Sequence, residues 1–231
     1  MQRKLNSYKG NLTPSQVADG INAARHNAIR LLTDAKILLN IGKYPSAAAL
    51  SILSIEESGK THILRLLALS KTDEDSSKVW REYRSHIKKN VLWSFPEAIN
   101  KGARKLDDFR PIFDQTSEHP YLLDQLKQIS IYTDCLGEAH WSEPNLVIDK
   151  ELAVSLVSIA EVLTSTTEVT TTEIELWVKN LRDVDFSDLS KSKEALLHWY
   201  YDMQASGLLP EGYRMKEILD FLGFNLGLVK D

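Results

Sequence analysis

The chain has 231 residues, 43% of them apolar, and its charged and aromatic fractions are those of a folded protein with a sizeable core, which excludes intrinsic disorder. A formal net charge of −4 excludes a surface made throughout for gripping nucleic acid, leaving any such contact to a local patch. The single cysteine, Cys135, excludes an intramolecular disulfide, fits a reducing compartment and reads as a packed thiol. Residues 1–6 carry no apolar h-region, and no apolar run is long enough for a bilayer, so a cytoplasmic protein without a membrane partner is expected.

Thr13, Pro14, Ser15 and Gln16 open the first helix: a cap hydroxyl, a proline at the first helical position and a glutamine at the third. From there Val17, Ile21, Ala24, Ala28, Leu31, Ala35 and Leu38 recur three and four apart, one apolar stripe that ends at Gly42. Gly42, Lys43, Tyr44 and Pro45 make a short turn into a second helix reaching about Ser70, which predicts an antiparallel pair. A polar break at 71–77 leads into a helix over 77–90, and another helix follows Pro96. Residues 110–120 read as a loop, 121–136 as a helix and 137–144 as a connection. The span 150–180 looks helical, but the β-branched run from Thr164 to Thr172 predicts a break within it. Helices near 190–206 and 214–222 carry Trp199, Tyr200, Tyr201 and Phe221 and are expected to dock on the rest.

The second helix holds the main anomaly. At about 100° per residue, Ser51, Ser54, Ser58, Thr61 and Arg65 form a polar side. Ala49, Ile52, Leu53, Ile63, Leu64 and Leu67 form the opposite, core side. Glu56 and Lys60 sit in the middle of that core side, and Glu57 at its edge. Buried charge must be paired, neutralised or placed on a cleft, so these residues indicate either an i, i+4 ion pair or a site. Gly59 beside them points to close backbone approach by another element. In the next helix His86 shares a face with Val79, Tyr83 and Asn90, with Arg81 and Lys89 nearby. A histidine among fixed cations suits proton transfer at a phosphodiester, although a lone histidine on such a face also reads as a hydrogen-bonded core residue.

These residues carry a resemblance. Asn27, Ala28, Asp34, Ala35 and Leu38, then Gly42, Tyr44, Ala47 and Leu50, then Ile55, Glu56, Glu57, Ser58, Gly59 and Lys60 resemble the N-terminal pattern of AbiV abortive-infection proteins. His86 with Lys89 is similar to the family's following histidine and lysine, and Tyr132, Thr133, Asp134, Trp141 and Pro144 to its later stretch. The family is placed among HEPN domains. That implies an all-α, antiparallel HEPN-like bundle with additional C-terminal helices, drawn here as a bundle over 12–163 and an extension over 164–231. It also implies a homodimer and, as in many HEPN members, RNA cleavage without metal or cofactor. Arg81 and His86, four residues between them, fit the HEPN arginine–histidine motif, although a five-residue step turns side chains about 140° apart on an ideal helix.

The function so implied is that of an antiviral (phage) abortive-infection protein, an endoribonuclease acting on cellular or phage RNA, with a phage-encoded activator protein among its expected partners. His86 would act as general base or acid, Arg81 and Lys89 would stabilise the phosphorane, and Glu56, Glu57 and Lys60 would orient His86. Two alternatives stand beside it. One is a non-catalytic dimeric protein that binds a phage or translation component. The other is a di-metal bundle starting from Glu56 and Glu57, which lacks the paired Glu-x-x-His motifs of such sites. The tryptophans Trp80, Trp93, Trp141, Trp177 and Trp199 read as core or interface anchors rather than base-stacking platforms.

Overall fold

A computed structural model describes residues 7–114, 118–209, 212 and 214–224. Among them the chain forms eleven α-helices, two 3₁₀ segments and one two-stranded hairpin. It is an all-α bundle with C-terminal helices added.

Helix α1 (Pro14–Asn40) starts where Thr13 accepts from the Gln16 amide while the Gln16 side chain accepts from the Thr13 amide. Gly42, at φ +74°, closes the turn into α2 (Tyr44–Ala68) with a backbone that only glycine adopts without strain. The α1 stripe is buried from Val17 to Ala35, with Leu38 half-buried.

Next come α3 (Asp73–Arg84), α4 (His86–Lys89), a 3₁₀ turn at Val91–Ser94, α5 (Phe95–Asn100) and a 3₁₀ segment at Leu106–Phe113. They are followed by α6 (His119–Ile131), the hairpin β1 (Asp134–Leu136) and β2 (His140–Ser142), and α7 (Pro144–Val147). Cys135 faces Trp141 across the antiparallel hairpin. Then α8 (Lys150–Leu163), α9 (Thr171–Leu181), α10 (Leu189–Ala205) and α11 (Met215–Leu222) complete the fold. The α8–α9 interruption falls on the β-branched run, as its composition predicts.

Helix α2 is the axis, packed by α1, α3, α4, α6, α8 and α9. One core lies at its start, where Ile52 and Ile55 meet Leu32, Leu123 and Leu156 from α1, α6 and α8. A second lies at its end, where Leu64 and Leu67 meet Val17, Ile21, Trp80 and Ile174. The C-terminal helices dock through Ile174 there, and through Leu181, Trp199 and Met203, which cluster with Leu69 at the end of α2. Phe221 of α11 reaches a separate cluster around Phe109.

Several expectations need correction. The predicted 77–90 helix begins earlier, at the capping box of Thr72 and Asp75, and breaks at Ser85, whose extended backbone (ψ 125°) ends α3. Arg81 and His86 therefore stand on different helices. The predicted 121–136 helix ends at Ile131, and its last residues pair as a strand. The 110–120 stretch is not all loop: Leu106–Phe113 is 3₁₀, while residues 115–117 lie outside the described residues. So do residues 1–6, read for a leader, and the extension's final residues, 225–231. Cys135 is exposed rather than packed, and Trp141, 73% exposed, is not a core residue, which leaves it the interface reading. The supposed polar side of α2 is interior as well: Ser51 and Ser54 are fully buried, their hydroxyls donating to Ala47 and Ala28 carbonyls at 2.8 Å. Helix α2 is covered nearly all round, so Ser51 and Ser54 are small packing residues satisfied by backbone, while Ser58 meets the Thr164 hydroxyl. No described helix is long and apolar enough to cross a membrane.

Candidate functional site

Glu56 lies midway along α2 with its side chain 4% exposed. A carboxylate there is tolerable only if cations reach it, and three basic side chains do. Lys127 of α6 donates to Glu56 Oε1 at 2.6 Å and to Asp124 Oδ1 at 2.7 Å. On Oε2, His86 Nδ1 stands at 2.8 Å and Lys89 Nζ at 3.4 Å. Lys89 and Lys127 thus balance Glu56 and Asp124, and the imidazole is the additional group.

Burial alone would push the Glu56 carboxyl up, but the hydrogen bonds from Lys127 and His86, with the Lys89 and Lys127 charges, hold it below the ordinary glutamate range. Burial would likewise pull Lys127 down, yet its bonds to Asp124 and Glu56 and their negative charges hold it above the ordinary lysine value. Both ions are thereby fixed as ions at neutral pH. An ionised carboxylate only accepts, so the proton of His86 lies on Nδ1, between ring and carboxylate. That leaves Nε2 as the unshared ring nitrogen, on a side chain 56% exposed. The arrangement is a carboxylate–imidazole pair whose carboxylate orients the ring through Nδ1.

Two local features bring α4 to α2. Ser85 ends α3 and its hydroxyl accepts from the Lys88 amide, starting the short helix that presents His86. Gly59 supplies the space, since a Cβ there would stand 2.0 Å from the Lys89 carbonyl oxygen. The close approach that Gly59 suggested in the sequence is this contact.

The sequence-derived candidates divide. Glu56, His86 and Lys89 come together. Glu57 and Lys60 do not join them: they pair with each other at 2.6 Å, and Lys60 Nζ lies 5.4 Å from the centre of the Tyr83 ring. The expected Glu56–Lys60 pair is therefore replaced by Glu57–Lys60, three residues apart. Lys89 is buried against Glu56 and not turned toward solvent, whereas Arg81 is exposed and outside the network. Sequence reasoning missed Lys127 and Asp124. A signal existed: Pro120, Leu123, Lys127 and Ser130 are spaced three, four and three apart, all buried, with the lysine inside the stripe.

Oxygen and nitrogen atoms of Glu56, His86 and Asp124 lie within 4.8 Å of one another, a spacing that suits a metal ion. The Lys127 ammonium already bridges Glu56 and Asp124, supplying the positive charge the carboxylates require. Glu57, the second carboxylate of the di-metal alternative, is engaged by Lys60.

A family model described as AbiV, of the HEPN type, matches residues 16–165, more than half of the chain and every member of the Glu56 network. Comparison with curated proteins and with solved structures gives no match.

Proposed function

The chain belongs to the AbiV family of abortive-infection proteins in the HEPN superfamily, and from that premise we propose that it is a metal-independent endoribonuclease acting through His86. One observation carries the reading: a histidine half open to solvent has one ring nitrogen on a buried, ionised carboxylate and the other without a partner among the described residues. In the proposed reaction His86 Nε2 accepts the ribose 2′-hydroxyl proton as the 2′-oxygen attacks phosphorus. The P–O5′ bond breaks, and the leaving oxygen takes a proton from a second imidazole, protonated at the start. The products are a 2′,3′-cyclic phosphate and a 5′-hydroxyl. One chain provides one such histidine, so the proposal includes a homodimer in which the second copy's His86 is the acid. Glu56 is a positioning residue, held ionised by Lys127 and Lys89. Arg81, exposed on α3, is assigned the phosphate contact from the solvent side.

The test is incubation of purified protein with total RNA in chelator, followed by mapping of ends. Wild type should give cyclic-phosphate ends; His86→Ala, with its circular dichroism spectrum unchanged, should give none. Equal cleavage by both proteins would remove His86 from the mechanism.

A second reading, a non-catalytic interaction protein that blocks a phage or translation component, draws on a different observation. Trp141 and Leu146 are 73% and 80% exposed, with Leu136 and Val147 also open beside them. Apolar side chains concentrated on one segment suit a protein partner. Intact RNA in cells arrested by the protein would favour this reading, and discrete cleaved RNAs the nuclease.

A further inference from the structure

On the other side of α2, one buried and one half-buried arginine have hydrogen-bonding capacity left over. Arg25 of α1 is 7% exposed. Its Nη1 donates to the Thr166 carbonyl at 2.8 Å, and its Nη2 donates to Glu168 at 3.1 Å and lies 2.7 Å from His26 Nε2. Arg65 of α2 donates to Glu173 and lies over the Trp177 and Trp199 rings, 5.3 and 5.7 Å from their centres. Both side chains line a cavity of about 120 Å³ between α1, α2 and the segment joining α8 to α9, where Ser58, Thr61, Ser165 and Thr167 contribute to the wall. A second cavity of about 300 Å³ shares Arg65, Ser165 and Thr167 with it and adds Trp199, Tyr200 and Met203.

Three buried polar atoms around these cavities have no partner among the described residues: Arg25 Nε, Arg65 Nη1 and Trp199 Nε1. All three are N–H donors. Leaving a buried donor unmatched is costly, and what would match three donors of which two belong to cations is an acceptor carrying negative charge. The partner carboxylates do not cancel that preference equally. The Glu173 side chain is 13% exposed, but the Glu168 side chain is 71% exposed and its charge is screened by water, whereas the Arg25 guanidinium is enclosed.

We infer that the Arg25–Arg65 cavity binds a phosphate group, either as inorganic phosphate or as a monoester whose organic body occupies the adjoining cavity beside Trp199. A guanidinium pair with hydroxyls in the wall presents the directed donors a tetrahedral oxyanion accepts. The walls come from α1, α2 and the 164–170 connection, so the anion would tie the C-terminal extension to the bundle. This site is separate from the His86 centre and stands independently of the nuclease proposal.

The experiment uses the full-length protein, with binding followed by calorimetry and by melting temperature. Inorganic phosphate and phenyl phosphate are the two probes, with sodium chloride matched for ionic strength. The expected result is saturable binding and a raised melting temperature with at least one phosphate probe and no shift with chloride. Tighter binding of phenyl phosphate identifies the monoester form, and equal binding the free anion. Arg25→Gln and Arg65→Gln should each weaken binding at least roughly tenfold, equivalent to about 1.4 kcal/mol. Because either change also removes an ion pair of the fold, Ser165→Tyr serves as a second variant: it fills the cavity from an exposed position and should abolish binding. His86→Ala should bind as wild type does. No binding by the wild type, or binding that survives Ser165→Tyr, or binding lost with His86, would overturn the assignment.

Discussion

Two groups of buried charge flank the same helix and are resolved in different ways. Around Glu56 both carboxylate oxygens are engaged, and Lys127 is shared between two acids. Around Arg25 and Arg65 the carboxylates are engaged, yet three donors remain over. The first group leaves no buried side-chain atom unmatched among the described residues, and His86, whose Nδ1 is engaged, is the member that meets solvent. The second is incomplete in a single sense, donors without acceptors. A closed network positions a reactive group, whereas an unbalanced one indicates a ligand of the missing type.

The comparison is broken most severely by Lys127→Met, which leaves Glu56 buried without its shortest partner. Urea unfolding should show a loss of about 3 kcal/mol, the lower end of the usual range because Lys89 and His86 remain. Restoring neutrality with Glu56→Gln in the same chain should recover much of that loss. The matched change at the other group, Arg25→Met, should cost about 1 kcal/mol, since Glu168 is already largely hydrated. Equal losses for the two would mean that the groups are not different in kind.

Gly59→Ala tests the contact that holds α4 in place. The added methyl meets backbone, not a flexible side chain, so α4 must move. A net loss of about 1–3 kcal/mol is expected despite alanine's better helix propensity, together with loss of RNA cleavage as His86 leaves Glu56. A variant as stable and active as wild type would show that α4 does not depend on this approach.

The smallest effect is in pH. Glu56 has a folded pKa below its unfolded value of about 4.3, so its contribution is fully present above that value and is lost as pH falls through the folded one. Lys127, raised in the fold, contributes below its unfolded value and loses that contribution as pH rises through the folded one. The stability difference between wild type and Glu56→Gln should therefore be flat at neutral pH and shrink below about 4.3, by about 1.4 kcal/mol for each unit of depression. A difference that stayed constant down to pH 3 would contradict an ionised, paired Glu56.

Much of the architecture is legible where the signal is local. Thr13, Pro14 and Gln16 mark the first cap, and the threonine-rich run from 164 to 172 marks the α8–α9 break, because capping and β-branching act within a turn of helix. Glu56 and Gly59 are legible as anomalies, a charge and a missing side chain on an otherwise apolar face. Periodicity shows that a residue is buried but not what meets it. Lys127 lies 71 positions from Glu56, and only the packing of α6 on α2 joins them. The same limit explains the serines of α2, since a polar stripe on a helix enclosed by its neighbours looks in sequence like a face toward water. At Ser85 the missed signal was local: a serine able to cap the residues that follow.

Ser85 makes α3 and α4 separate parts. Its extended backbone ends one helix and its hydroxyl begins the next, so the surface of α3 around Arg81 is free to diverge while α4 keeps its imidazole in register with α2. On the proposed function, the arginine that would meet the phosphate and the imidazole that would move the proton are thus carried by two separately capped helices.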